Sequence, residues 1–178
     1  DTNVVVDMAI SENPDLPVFL IGHSMGGFTV SLYGAKYQNK RLKGIITSGA
    51  LTKDHAGTIS GAPQGLDPHE KLPNQLGSAV CSVAEVVEWY GKDPYNTPTF
   101  TTGLCYALSS GLNWFKEHVT EFAYPVFMLH GQKDGLVSVK DTYEFFEEAA
   151  STDKQMKIYG NLFHEIFNEY CRDEVIGD

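Results

Sequence analysis

The sequence predicts an α/β protein, a parallel sheet with flanking helices and one inserted helical segment. Three observations carry that expectation. Apolar runs within residues 17–21, 43–49 and 124–131 recur with helix-like stretches between them, as strands buried in a parallel sheet do. The first run leads into Gly22-His23-Ser24-Met25-Gly26-Gly27, which has the Gly-x-Ser-x-Gly spacing of a sharp strand-to-helix turn. About 70 residues then separate the second run from the third, too many for an ordinary connection.

Taken in order, residues 1–10 read as a helix, with Val5, Met8 and Ala9 at helical spacing and Asn13-Pro14 ending the run. This segment has no initiator Met and resembles a helix entered midway, so the chain is expected to be a fragment of a longer protein. Residues 17–21 hold four consecutive apolar side chains, expected to be buried on both faces of a strand. Glycine flanks Ser24 because such a turn is strained and brings helix and strand close together. Residues 28–37 continue as helix, and 43–49 as a second buried strand. Strand, helix, strand implies a parallel pair joined by a right-handed crossover.

Residues 52–76 are rich in Gly, Pro, Asp and His and read as loop. Val83, Val86, Val87 and Tyr90 give residues 80–90 a helical face, which residues 93–98 break. Residues 100–119 form another helical stretch with an apolar stripe of Leu104, Leu108, Leu112 and Phe115. Residues 1–51 and 121–178 are therefore read as core, and 52–120 as a cap or lid. Beyond the strand at 124–131 come a turn at 132–135 and an amphipathic helix at 139–150. An alternating strand near the sheet edge follows at 154–159, then a loop at 160–164 and a last helix beginning at 165–171.

A chain of 178 residues with 42% apolar and 20% charged residues can bury one sizeable core. Thirteen basic against 23 acidic residues leave a net charge of −10, with no basic cluster, which argues against nucleic acid as partner. Anionic membrane is repelled on average, although transient contact through apolar residues of the cap is compatible with this balance. Cys81, Cys105 and Cys171 are odd in number and lack metal-ligand spacing. They read as free thiols of a reducing, cytoplasmic setting, ahead of a disulfide between two of them. No run approaches the ~20 apolar residues of a membrane span, and no cofactor or metal is called for.

A serine becomes a nucleophile when a base removes its proton and a third group orients that base. The residues for this follow Ser24 in the order acid, then histidine. Asp134 lies just past the third apolar run, and His164 just past the last strand, so both fall at the carboxyl edge of a parallel sheet together with Ser24. Alone, Asp134 is also a good turn-former and His164 a plausible packed loop residue; order and placement together favour the triad. The backbone N–H of Met25 is the expected oxyanion donor, with a second donor due from an earlier loop. His23 is read as a packing or pocket-lining residue and His130 as structural. His55, His69 and His118 fall in the cap without metal spacing.

The stretches Gly22–Gly27, Leu129-His130-Gly131-Gln132-Lys133-Asp134 and Leu162-Phe163-His164-Glu165-Ile166-Phe167-Asn168-Glu169 resemble the monoacylglycerol lipase and lysophospholipase subfamily of α/β-hydrolases. Glu88-Trp89-Tyr90 leading into Asp93-Pro94 is similar to that subfamily's cap. The resemblance implies the α/β-hydrolase fold, Ser24 as nucleophile, Asp134 as acid and His164 as base, and a small acyl ester or lipid as substrate. Members carry further strands and the second oxyanion loop ahead of the helix at which this chain begins. That implies an exposed sheet edge at residues 17–21, and a complementary amino-terminal segment or another chain to cover it. Alternatives of the same fold are a short-chain or aromatic-acid carboxylesterase, an aminopeptidase, and an inactive fragment that needs its amino-terminal half.

Overall fold

The computed structural model describes residues 1–178 apart from the side chain of residue 78. In chain order the elements are α1 (Thr2–Glu12), β1 (Val18–His23), α2 (Met25–Lys36), β2 (Leu42–Ser48) and β3 (Lys71–Pro73). They continue with α3 (Ala84–Lys92), β4 (Thr99–Thr101), α4 (Thr102–His118) and β5 (Val126–Gly131), and end with α5 (Val139–Glu148), β6 (Lys154–Tyr159) and α6 (Arg172–Gly177). The main sheet runs β1-β2-β5-β6, and every neighbouring pair is parallel. All four strands therefore end at one edge, where the loops after them meet.

The larger core lies between this sheet and the helices. Val6 and Ile10 of α1, Phe28, Val30 and Tyr33 of α2, and Phe145 of α5 are buried there against Ile45 and Met128. Phe115 of α4 joins them, edge-on to Phe28 at 6.1 Å and to Phe145 at 5.4 Å. Edge-to-face pairs add about 0.5–1.5 kcal/mol each beyond their burial. The aromatic chain thus fixes α4 to the sheet-covering helices. On the opposite face, Leu129 and Tyr159 pack with Leu162, Ile166 and Val175.

Residues 52–120 are attached to the rest at both ends. His55 bridges Asp141 (2.8 Å) and Glu144 (2.9 Å) of α5, while Phe115 and Val119 lie in the main core. The middle has a small cluster of its own, with Val80, Cys81 and Val83 buried against Val86, Val87 and Tyr90. The two short strands β3 and β4 pair antiparallel beside it.

Four expectations need correction. β1 is not buried on both faces: Phe19 and Ile21 are 57% and 62% exposed, because β1 is an edge strand and its outward face has no covering layer. On α1 the buried residues are Val6 and Ile10, whereas Val5 and Met8 face outward, because α1 packs on α2 through the adjacent stripe. The helix expected at 80–90 starts at Ala84, with Val80 and Val83 in the loop ahead of it. The last helix begins at Arg172, and a single helical turn at Ile166–Asn168 replaces its expected start. The cysteines are free thiols. No helix among the described residues is long and apolar enough to cross a membrane.

Candidate active site

The site is assembled from the loops after all four strands. Ser24 follows β1 with φ 57° and ψ −121°, and is the only non-glycine residue of positive φ among those described. Such a conformation costs on the order of 1–3 kcal/mol and persists only where the surroundings impose it. Those surroundings are visible. Ser24 N–H donates to the Ser48 carbonyl at the end of β2 (2.8 Å), and the Ser24 carbonyl accepts from Phe28 N–H and Leu51 N–H. At Gly22 a Cβ would overlap the Gly26 carbonyl, so the close return of the helix past the strand requires glycine. Ser24 occupies the N-cap position of α2, yet its side chain makes no capping bond, which leaves the hydroxyl available for other chemistry. Met25 is the first residue of α2, so its N–H has no intrahelical acceptor.

Asp134 and His164 are brought into direct contact. His164 Nδ1 lies 2.6 Å from Asp134 Oδ2, with the Asp134 side chain fully buried and that of His164 nearly so. The other carboxylate oxygen, Oδ1, accepts from Leu136 N–H (2.8 Å) and Val137 N–H (2.9 Å). Burial alone would raise the Asp134 pKa, but hydrogen bonds from His130 and His164 outweigh it and hold the carboxyl well below the usual carboxylate range. An ionised Asp134 accepts at Oδ2, so His164 carries its proton on Nδ1 and keeps Nε2 as the basic nitrogen.

Gly49, just past β2, forms the floor of this pair. It has φ +51°, and a Cβ there would come within 3.0 Å of His164 Nδ1 and 3.3 Å of Asp134 Oδ2. The His23 ring lies 4.5 Å from the His164 ring, centroid to centroid, while His23 Nδ1 meets the Ser48 hydroxyl at 3.1 Å. The Ser24 turn is thus held against the imidazole by the residue immediately before it.

Burial, reinforced by the neighbouring His164, pushes the His23 pKa down from 6.5 to about 4. Between these values the unfolded chain binds the proton and the native protein does not, so stability falls as pH drops through the window. At about 1.4 kcal/mol per unit the loss at pH 4 is about 3 kcal/mol. In His23→Asn, thermal melting between pH 7 and pH 4 is expected to show a correspondingly shallower loss than the parent protein. Parallel curves would reject the assignment.

His130 was legible in sequence only as a structural residue, and its tie to Asp134 was missed. It is fully buried, with Nε2 3.0 Å from Asp134 Oδ2 and 3.1 Å from the Val137 carbonyl, and Nδ1 2.7 Å from Thr142 Oγ1. Both partners of Nε2 are acceptors, so Nε2 carries the proton and Nδ1 accepts from the threonine hydroxyl. The four-residue spacing across the Gly131 turn was the available signal. Of the expected apolar stripe, Leu104 and Leu108 line a cleft shared with Met25, Phe28 and Leu32 of α2, and with the polar Asn3 and Lys36. Phe115 is core, and Leu112 borders a separate cleft beside His55.

Residues 1–170 match the family described as serine aminopeptidase, S33. A monoacylglycerol lipase of Mycolicibacterium smegmatis is 30% identical over 185 residues, covering 100% of this chain and 66% of that protein. The human monoglyceride lipase is 29% identical over 174 residues, or 92% of this chain and 56% of its own. A soluble variant of the Saccharomyces cerevisiae monoglyceride lipase, solved with a substrate analog, superposes with a TM-score of 0.88 at 26% identity, over 100% of this chain and 65% of that one. The chain therefore spans 56–66% of the length of these relatives. With its parallel sheet, its strained serine turn and this match along nearly its whole length, the chain belongs to the serine aminopeptidase, S33 family and has the α/β-hydrolase fold.

Proposed function

We propose that this chain carries the catalytic triad of a serine hydrolase acting on carboxylic acyl esters, with monoacylglycerols or lysophospholipids as the substrate class. The carrying observation is the 2.6 Å bond between His164 and Asp134 at the same sheet edge as the strained Ser24. His164 Nε2 takes the Ser24 hydroxyl proton as Oγ attacks the ester carbonyl, and Asp134 holds the imidazolium that forms. The Met25 N–H donates to the oxyanion. Collapse of the adduct expels the alcohol, which leaves with the proton from His164. A water deprotonated by the same nitrogen then cleaves the acyl-serine and releases the fatty acid.

Residues 52–120 act as the cap over this edge. The cleft from Met25 past Phe28, Leu32, Leu104 and Leu108 supplies apolar surface for an acyl chain. The names of the relatives support a lipid ester as substrate.

The test uses the protein purified at its natural length. A fluorophosphonate probe is expected to label it, and rates on esters of graded acyl length are expected to rise with length while a dipeptide amide stays intact. Labelling that persists in Ser24→Ala removes Ser24 as nucleophile. A preference for acetyl or aromatic-acid esters moves the substrate to those classes, and cleavage of the amide makes the protein a peptidase.

A further inference from the structure

Glu169 lies five residues beyond His164, is 2% exposed, and has no part in the chemistry just described. Its partners are all neutral donors. Oε1 accepts from Phe163 N–H (3.0 Å) and from Ser82 N–H (3.0 Å), and Oε2 accepts from the Ser82 hydroxyl. A buried carboxylate is expensive unless its oxygens are satisfied. Here the donors come from two distant stretches of chain, the loop that carries His164 and the segment after Val80. The same two stretches meet again two residues away, where Glu165 N–H donates to the Val80 carbonyl at 2.7 Å.

The residues on either side of His164 are therefore both fixed to residues 80–82 through their N–H groups. Phe163 is fixed through the Glu169 carboxylate and Glu165 through the Val80 carbonyl. On the other side, Lys133 N–H donates to the Leu162 carbonyl at 2.9 Å and joins the loop to that of Asp134. His164 is held between the acid loop and the inserted segment.

The geometry points to Glu169 as a positioning residue for His164, one that makes residues 80–82 of the insertion part of the mount for the base. This rests on the triad reading and adds to it: displacement of the insertion at Val80–Ser82 displaces the imidazole. Without the carboxylate, Phe163 N–H and Ser82 N–H lose their shared acceptor and the loop loses one of its two ties. Misplacing a catalytic group by about 1 Å lowers turnover on the order of 100-fold.

Glutamine tests geometry against charge. Its Oε1 can still accept from both N–H groups while its amide donates to the Ser82 oxygen. In the natural-length protein, Glu169→Ala is expected to lower kcat on an acyl ester on the order of 100-fold with KM within about threefold. Glu169→Gln should recover turnover to within about fivefold of the parent. A parental kcat in Glu169→Ala, or a Gln variant as damaged as the Ala variant, overturns the proposal. If Glu169→Ala does not fold, Ser82→Ala, which keeps the Ser82 N–H and removes only the donor to Oε2, carries the same test: a several-fold lower kcat with KM unchanged supports it, and a parental kcat overturns it. Ser24→Ala in the same series separates the two readings, since full turnover there removes the triad, whereas a dead Ser24→Ala beside a parental Glu169→Ala removes only the mount.

Discussion

Replacing Ser24 with alanine is expected to lower kcat on an acyl ester by on the order of 10⁴-fold or more, with KM within a few-fold. Only the hydroxyl is lost, so the Cβ that the φ 57° conformation already accommodates stays in place. The turn is held by backbone bonds, Ser24 N–H to Ser48 and the Ser24 carbonyl to Phe28 and Leu51, and the serine side chain makes no capping bond. The variant should therefore melt with the parent, and circular dichroism melts beside steady-state rates check both halves. Turnover within tenfold of the parent would remove Ser24 from the mechanism.

Asp134→Asn is the second large effect, also on the order of 10⁴-fold in kcat. Its direction follows from which oxygens are occupied. Leu136 N–H and Val137 N–H require an acceptor at the Oδ1 position, so the asparagine carbonyl takes that place and the NH₂ falls where Oδ2 was. That NH₂ faces two imidazole nitrogens that donate in the parent, His164 Nδ1 and His130 Nε2. His130 can still donate to the Val137 carbonyl. His164 instead turns its Nδ1 lone pair to the amide, which puts its proton on Nε2, facing away from Asp134, and removes the base. Rates measured at neutral pH alongside the fluorophosphonate labelling rate are expected to fall together. A labelling rate equal to the parent's would contradict the tautomer argument.

The catalytic candidates were legible because each follows a stretch that reads as a strand, apolar before Ser24 and Asp134 and alternating before His164, and in an all-parallel sheet the ends of such strands share an edge. Ser24, Asp134 and His164 were read from that placement together with the Gly-x-Ser-x-Gly spacing, their order in the chain and the family resemblance, and the structure puts Asp134 and the His164 imidazole in contact. What was not legible depends on partners distant in sequence. The resemblance implied an open sheet edge at residues 17–21, but the exposure of Phe19 and Ile21 was not legible, because a continuous apolar run reads the same whether or not a layer covers its second face. The bond from His130 to Asp134 needs the turn after β5 to fold back on itself, and His-Gly alone does not announce that. The three-residue strands β3 and β4 are too short to have a period.

The last helix was misplaced for a related reason. Residues 165–171 have helical composition, but Glu165 N–H is bonded to Val80 and the Glu169 carboxylate to Phe163 and Ser82. Those bonds hold the segment as a loop with one turn, and a regular helix resumes only at Arg172. Tertiary hydrogen bonds outweigh local preference here.

Gly49 bears on how natural variation in this protein should be interpreted. Any side chain at that position would press on Asp134 and His164 and would need a backbone conformation with φ near +51°. Tolerance at Gly49 should therefore be as low as at Ser24, and a survey that scores variants only by activity would rank the two alike. The amount of intact protein separates them. A Ser24→Ala variant is expected to stay folded without turnover, whereas a Gly49 variant is expected to lose stability as well. Substitutions around this edge should thus divide into those that remove the chemistry from an intact fold and those that lower the stability of the fold that carries it.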